Sequence, residues 1–522
     1  MTPSTTEPRA IRPSDPAISF LFTASEAYPA LERAVLDTRT RFMAGFRVFD
    51  PSTILRSPEA RQVGETWFDL LVHTLDRGVE IRLWLSDFDP VVRPALHRMA
   101  WRNYRQVVAA AEMSSRVDLM TAKMMMHPSR VGPMPRAALL PKIRKRLMAE
   151  TRRINALPII QAQEALRLAP HLRPLLAGKP PELQPKLWPI PPLVPATHHQ
   201  KLAVFDETRL FIGGLDLNER RYDTKDHDRP ADETWHDIQV LVSDGQLARD
   251  AATHLERFGD ITAGTAMPGP SRILRTLSAK RRSDPSAISP KPKAGEIEDR
   301  LMSEIARSET LIYLESQFFR SVPIARALAR RAAEAPGLTL LLVVPGAPED
   351  VAFEGASGAD ARYGEYLQAK CLGILQNAFA ERVFVMAPAQ PVATPDNGRA
   401  TIASAPLVYL HAKTSIFDDR TAIVSSANLN GRSLRWDTEA GIAIEDPHSV
   451  RHLRARCLDH WLAGTTSPEL RTPDTMVSAW RDLARRNADI APEGREGFVL
   501  PYAIGPARRF GRNLPGVPEE MV

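Results

Sequence analysis

Cysteine is nearly missing from this chain of 522 residues: there are two, Cys371 and Cys457, far apart in apolar, helix-like contexts. That excludes a disulfide framework and leaves a reducing compartment, or indifference to redox, as the expectation. Long apolar runs are missing too. The longest, "LTLLLVV" at 338–344, is strand-sized and far short of the ~20 residues that span a bilayer. The opening "MTPSTTEPRAIRPSDPAISF" has no apolar segment of the kind a secretory signal needs, so residues 1–24 read as a disordered N-terminus. Lysine is scarce, 12 against 56 Arg among the 68 basic residues, so each lysine invites a reason.

What is present is ordinary for a soluble globular protein: 43% hydrophobic and 25% charged residues, with length for two to four domains. A net charge of +6 suits a polyanionic partner: an anionic membrane surface, a phosphorylated substrate or nucleic acid.

Two of the rare lysines sit in the same setting. "HHQKLAVFDE" at 198–207 and "HAKTSIFD" at 411–418 both read H-x-K-x-x-x-x-D, with His199, Lys201 and Asp206 in one and His411, Lys413 and Asp418 in the other. A composition-matched shuffle yields such a match on the order of 0.02 times per chain. A single copy reads as a buried histidine beside a surface lysine; two copies in matching contexts do not.

The surroundings repeat as well. Helix-like "SEAYPALERAVLDT" precedes the strand "RFMAGFRVFD", followed by "TWFDLLVHTLDRG" and "VEIRLWLSDFDP"; later "EIEDRLMSEIARSE" precedes "TLIYLESQFF", then "PIARALARRAAEA" and "LTLLLVVPG". Alternating strands and helices predict an α/β protein. The expectation is two similar halves with mixed, largely parallel sheets about a pseudo-twofold axis, over 25–277 and 296–465. A helical and Pro-rich insertion interrupts the first half at about 115–195, a basic linker covers 278–295, and residues 466–522 form a tail. Met120, Met124, Met125 and Met126 fall in the insertion, where core packing is their expected role.

On a strand, residues i and i+2 share a face, so each histidine projects beside its lysine. The two motif aspartates fall at hairpin tips, which argues for hydrogen bonding there although they belong to the same catalytic set. If the halves pack symmetrically, two histidines and two lysines converge in one cleft. That set suits in-line displacement at a phosphodiester: one imidazole attacks phosphorus, the other protonates the leaving alcohol, and the lysines hold the nonbridging oxygens. No metal or other cofactor is needed. Asp237, in "TWHDIQVLVSDG", and Glu439, in "RWDTEAGIAIED", lie at matched places downstream. They are the candidates to orient the imidazoles, Asp237 on His199 and Glu439 on His411. His198, His199 and His236 match no standard zinc spacing. Asp87 and Asp89, at a strand end, read as turn residues before substrate ligands.

The doubled motif, each copy followed by a small-residue turn, resembles the phospholipase D superfamily, with "FIGGLDLNERRYDT" and "YLESQFF" similar to the eukaryotic type. The family continues with Gly-Ser-x-Asn. Here the second copy has Ser425-Ser426-Ala427-Asn428 and the first Gly213-Gly214-Leu215-Asp216. The resemblance implies phosphate contacts from Ser426 and Asn428, and from Gly214 and Asp216 where the first copy departs from the pattern. It also implies one seam-bound active site and metal-independent cleavage of a phospholipid to phosphatidate and head-group alcohol through a phosphohistidine, with possible transfer to another alcohol. The alternatives are a phosphodiesterase or nuclease of the same fold, a cardiolipin-synthase-like transferase and a catalytically silent lipid-binding protein. The expected setting is a monomer, cytoplasmic or peripheral at a membrane surface, with a phospholipid rather than nucleic acid as partner and signal-less export open.

Overall fold

The alternating apolar segments fold as sixteen strands in two mixed sheets, seen in a computed structural model that describes residues 18–281 and 284–522. The first sheet holds β1 (Ile18–Phe22), β2 (Arg41–Phe46), β3 (Glu80–Ser86), β4 (Met120–Met125), β5 (Lys201–Phe205), β6 (Arg209–Gly213) and β7 (Ile238–Val242), ordered β1-β7-β6-β5-β2-β3-β4. The second holds β8 (Leu274–Ala279), β9 (Lys291–Gly295), β10 (Leu311–Ser316), β11 (Thr339–Val343), β12 (Val383–Pro388), β13 (Lys413–Phe417), β14 (Thr421–Ser425), β15 (Glu439–Ile444) and β16 (Val499–Pro501). Its order is β9-β8-β15-β14-β13-β10-β11-β12-β16.

The sheets are less parallel than expected. Only β2–β3–β4 and β10–β11–β12 run parallel, each joined through helices. Each motif strand instead turns straight back into its neighbour, β5 into β6 and β13 into β14. A short hairpin permits only antiparallel pairing, whereas a parallel neighbour needs a long crossover.

Side-chain alternation assigns the faces. In β2, Phe42, Ala44 and Phe46 face an outer core shared with the helices Thr23–Asp37, Trp67–Asp76 and Pro94–Met113, while Met43 faces inward. The inner core is common to both sheets. It joins Leu202, Val204 and Ile212 to Ile416, Val424 and Ile442, with the helices Gly245–Ala263, Pro447–Leu462 and Pro473–Asp489 packed into it. A third cluster covers the outer side of the second sheet.

Four expected boundaries shift. β1 begins within the stretch read as a disordered N-terminus; residues 1–17 lie outside the described residues. The 278–295 linker contains the end of β8 and all of β9, so the second sheet starts at Leu274. The basic, Pro-bearing "KPKAG" of β9 is composition suited to an edge strand, where lysine and proline discourage further pairing. The tail contributes the opposite edge, β16, and buries Met476, Trp480 and Leu483. The insertion opens with a strand, β4, whose Met120 and Met124 pack on the first outer core; its helices Leu140–Asn155 and Ile159–Arg167 then build a small core of their own.

Candidate active site

Both motif strands begin at their lysines, so His199 and His411 lie just before the sheet, at the end where the parallel strands β2 and β10 finish. There the halves meet by backbone pairing. The His199 amide donates to Thr438 O at 2.8 Å and the Thr438 amide to Thr197 O at 2.9 Å. In the mirror arrangement the His411 amide donates to His236 O at 2.7 Å and the His236 amide to Tyr409 O at 2.9 Å. Each histidine is therefore stitched to the segment that carries the other half's carboxylate.

This stitching exchanges the expected partners. Glu439, not Asp237, holds His199, with its oxygens 3.0 and 3.1 Å from Nδ1. Asp237, not Glu439, holds His411, with Oδ2 2.5 Å from Nδ1. The assignment within each half is corrected, and the reason is the backbone pairing: it lays residues 438–439 beside 198–199 and 236–237 beside 410–411. Fixing Nδ1 leaves Nε2 of each ring for chemistry.

The lysines flank the rings. Lys201 Nζ donates to His199 O at 2.6 Å and lies 3.2 Å from that ring's Nδ1; Lys413 Nζ bonds His411 O and lies 2.8 Å from its Nδ1. Both lysines are buried. Burial, then the neighbouring lysine of its own motif, pushes each imidazole well below its ordinary pKa, so both rings are neutral at pH 7. Burial also lowers Lys413 to about 7 against the pull of Asp237, and lifts Asp237 to about 7 and Glu439 to about 8. Five groups are thus held toward neutrality until an anion restores the balance of charge.

The residues after each motif serve the carboxylates rather than an open phosphate site. Ser426 Oγ donates to Glu439 Oε2 at 2.5 Å and is fully buried. At the matching place a Cβ on Gly214 would sit 2.4 Å from Asp237 Oδ1, so glycine here admits the carboxylate. The Ser426 hydroxyl is thus committed to Glu439, and the space above Gly214 to Asp237. Asp216 accepts from the Val48 amide at 2.9 Å and faces Arg47 at 3.7 Å. It is buried and supports the charge of Lys201. Asn428 donates to Gln317 at 3.2 Å, and its Oδ1 is buried without a partner among the described residues.

Asp206 and Asp418 stand at the far ends of their strands. Asp206 accepts from the amides of Arg39, Thr40 and Arg41 and from Thr40 Oγ1. Asp418 does the same with Glu309, Thr310, Leu311 and Thr310 Oγ1. Five residues of strand, roughly 16 Å, separate each from its lysine. The expectation that they belong to the catalytic set is corrected: both hold the hairpin to the neighbouring strand. Asp87 and Asp89 are likewise turn and packing residues: Asp89 accepts from the Val91, Val92 and Val194 amides. His198 Nδ1 lies 2.8 Å from Thr438 Oγ1, and its ring packs beside His127 and Phe258.

Several site residues escaped the sequence reading. Arg47 and Gln317 follow β2 and β10 at equivalent places, and each meets the residue two beyond its small turn: Arg47 with Asp216, Gln317 with Asn428. The first half thus carries an ion pair where the second carries an amide pair, which accounts for Asp at 216. Aligning "RFMAGFRVF" with "LIYLESQFF" exposes this exchange. Trp235 packs 4.5 Å from the His411 ring, with the Arg221 guanidinium 3.5 Å from the indole; single aromatics and arginines gave no signal.

Comparison with known proteins agrees with this geometry. The family model described as "Cardiolipin synthase, PLD-like domain" matches residues 301–461. The chain is 25% identical to phospholipase D2 of Bos taurus over 420 residues, covering 56% of this chain and 45% of that one. It is 26% identical to phospholipase D1 of Saccharomyces cerevisiae over 356 residues, covering 49% and 20%. It therefore spans less than half the length of these relatives. Among solved structures, phosphatidylserine synthase of Haemophilus influenzae Rd KW20 shares the fold, with a TM-score of 0.51 and 12% identity over 92% of this chain and 95% of that one. Among the described residues, no helix is long and apolar enough to cross a membrane. The two H-x-K motifs joined at one seam and the PLD-like domain matched over residues 301–461 make this chain similar to the phospholipase D superfamily.

Proposed function

We propose that this protein is a phosphodiesterase of the phospholipase D type, cleaving the distal phosphodiester of a glycerophospholipid to phosphatidate and head-group alcohol. The observation that carries this reading is the cross-held pair of histidines flanked by two buried lysines. Nε2 of one imidazole attacks phosphorus as the bond to the head-group oxygen breaks, and the other imidazole, which takes up a proton as the anionic substrate binds, gives that proton to the oxygen. The second imidazole then takes a proton from water, the hydroxide attacks phosphorus, and the P–N bond breaks to return both rings. The lysines, recharged by the bound anion, carry the growing charge on the nonbridging oxygens.

His199 is the proposed nucleophile. Its side chain is 15% exposed against 7% for His411, which lies against Trp235. The space above Gly214 is filled by Asp237 and offers no further room for an approach. Water and an alcohol compete for the same intermediate, so transfer is a second outcome of one site, in keeping with the cardiolipin synthase description of the matching family model.

The test is incubation with phosphatidylcholine vesicles, with and without added glycerol, scoring phosphatidate, choline and phosphatidylglycerol. The proposal expects phosphatidate and choline, a transfer product with glycerol, and loss of both in His199→Ala and His411→Ala. With p-nitrophenyl esters, whose leaving group needs no proton, His411→Ala should trap a phosphohistidine on His199. An adduct on His411 would exchange the roles. Cleavage of oligonucleotides but of no phospholipid would overturn the substrate class.

A further inference from the structure

Beside the catalytic seam lies a second histidine cluster that the proposed reaction does not use. His227, His236 and His460 each bring one ring nitrogen to within 4.8 Å of the others. His227 and His236 are fully buried, and each is backed by a buried carboxylate: His227 Nδ1 lies 2.6 Å from Asp223 Oδ2, and His236 Nε2 lies 3.1 Å from Glu315 Oε2. Those contacts fix the tautomers. His227 is left with Nε2 as a lone-pair donor, and His236 with Nδ1.

Hydrogen bonding accounts for only part of this. His227 Nε2 meets His460 Nε2 at 2.9 Å, so a proton on His460 satisfies that pair. His236 Nδ1 is buried and has no hydrogen-bond partner among the described residues. It is an acceptor with nothing to accept. Glu315 is already committed to its back, holding Tyr313 Oη at 2.6 Å and Trp461 Nε1 at 2.9 Å through its other oxygen.

We infer that His227, His236 and His460 form a binding site for a divalent transition ion, zinc foremost. Three neutral imidazoles are a standard borderline-soft donor set, and carboxylates behind the ligating histidines are the usual supporting arrangement. Charge closes as well, because the two carboxylates balance a dication. Ligands ~2.1 Å from a tetrahedral ion stand roughly 3.4 Å apart. The close His227–His460 pair would open by about half an ångström, and the wider separations would close by somewhat more than an ångström. His460, at the end of the helix Pro447–Leu462 and partly exposed, is the member free to adjust.

The ion would be structural, not part of the displacement chemistry. His236 precedes Asp237 in the chain, and its carbonyl accepts the His411 amide. An ion here fixes the segment that carries the His411 carboxylate, linking helix, loop and seam at one point.

The test uses the untagged full chain, measured for metal by mass spectrometry after equimolar zinc and gel filtration, and for visible absorption after cobalt substitution. The expected result is one zinc per chain and the ligand-field bands of tetrahedral cobalt. His460→Gln should lower retained zinc about tenfold or more, and Asp223→Asn, which keeps the shape, should weaken binding by roughly 10–100-fold. His199→Ala should retain full zinc. Wild-type protein that is folded by circular dichroism yet binds no zinc and shows no cobalt bands overturns the site. So does zinc lost in His199→Ala but kept in His460→Gln and Asp223→Asn.

Discussion

His199 and Glu439 are 240 residues apart in the chain, and His411 and Asp237 are 174 apart, yet each pair meets at hydrogen-bond distance. Double-mutant cycles should read that exchange directly. His199 with Glu439 should show coupling of about 1–3 kcal/mol in transition-state stabilisation, and His199 with Asp237 coupling near zero. The reverse would restore the within-half pairing. The pH profile follows from Lys413, lowered to about 7 chiefly by burial. Its charge is present below that pH and lost above it, so kcat/KM, which reports the free enzyme, should fall as pH rises through about 7. Lys413→Arg, charged throughout, should lower the plateau and remove that limb; a limb that persists assigns it elsewhere. The sequence showed the histidines and lysines because their spacing repeats, and both carboxylates because each precedes an alternating strand downstream of its motif. It could not show which carboxylate serves which ring: in a symmetric pair of halves, that placement fits both pairings. Ser426 was misread for a related reason, since a hydroxyl beside a phosphate and one beside a carboxylate look alike in one dimension.

At the scale of the hairpin, the motif aspartate performs two tasks. Asp206 and Glu207 adopt φ of 51° and 52°, and Asp418 and Asp419 repeat those values. With Thr208 N bonded to Phe205 O and Arg420 N to Phe417 O, both loops have the two successive left-handed residues of a type I′ turn, which aspartate tolerates better than most residues. The carboxylate then ties the turn to the start of β2 or β10. Asp206→Ala should destabilise the fold by about 2 kcal/mol or more, from charged hydrogen bonds lost at a strained turn, and should leave the turnover of folded protein within a few-fold of wild type. Thermal melting and active-site titration check the two halves of that statement; a loss of turnover at full folding would return Asp206 to the chemistry. The hairpins were legible because alternating strands flank "DET" and "DDR". The edge strand β9 was not, since "KPKAG" has no apolar alternation and pairs only because β8 offers an open edge.

Across the whole molecule, the inner core takes side chains from both sheets, so the halves share one interior besides their own outer cores. Urea titration followed by near-ultraviolet circular dichroism and by activity should give one coincident transition. Loss of activity well before loss of tertiary signal would mean that the seam opens on its own. The exchange of carboxylates also sets a schedule for synthesis. His199 leaves the ribosome long before the residue that orients it, and at ~5–20 residues per second the 240-residue gap takes about 12–48 s to cross. Throughout that interval the nascent chain carries a complete first motif with no carboxylate at its histidine. A chain stalled or cut short before Glu439 leaves His199 without the carboxylate that holds it, so the proposed displacement waits until translation has passed both halves.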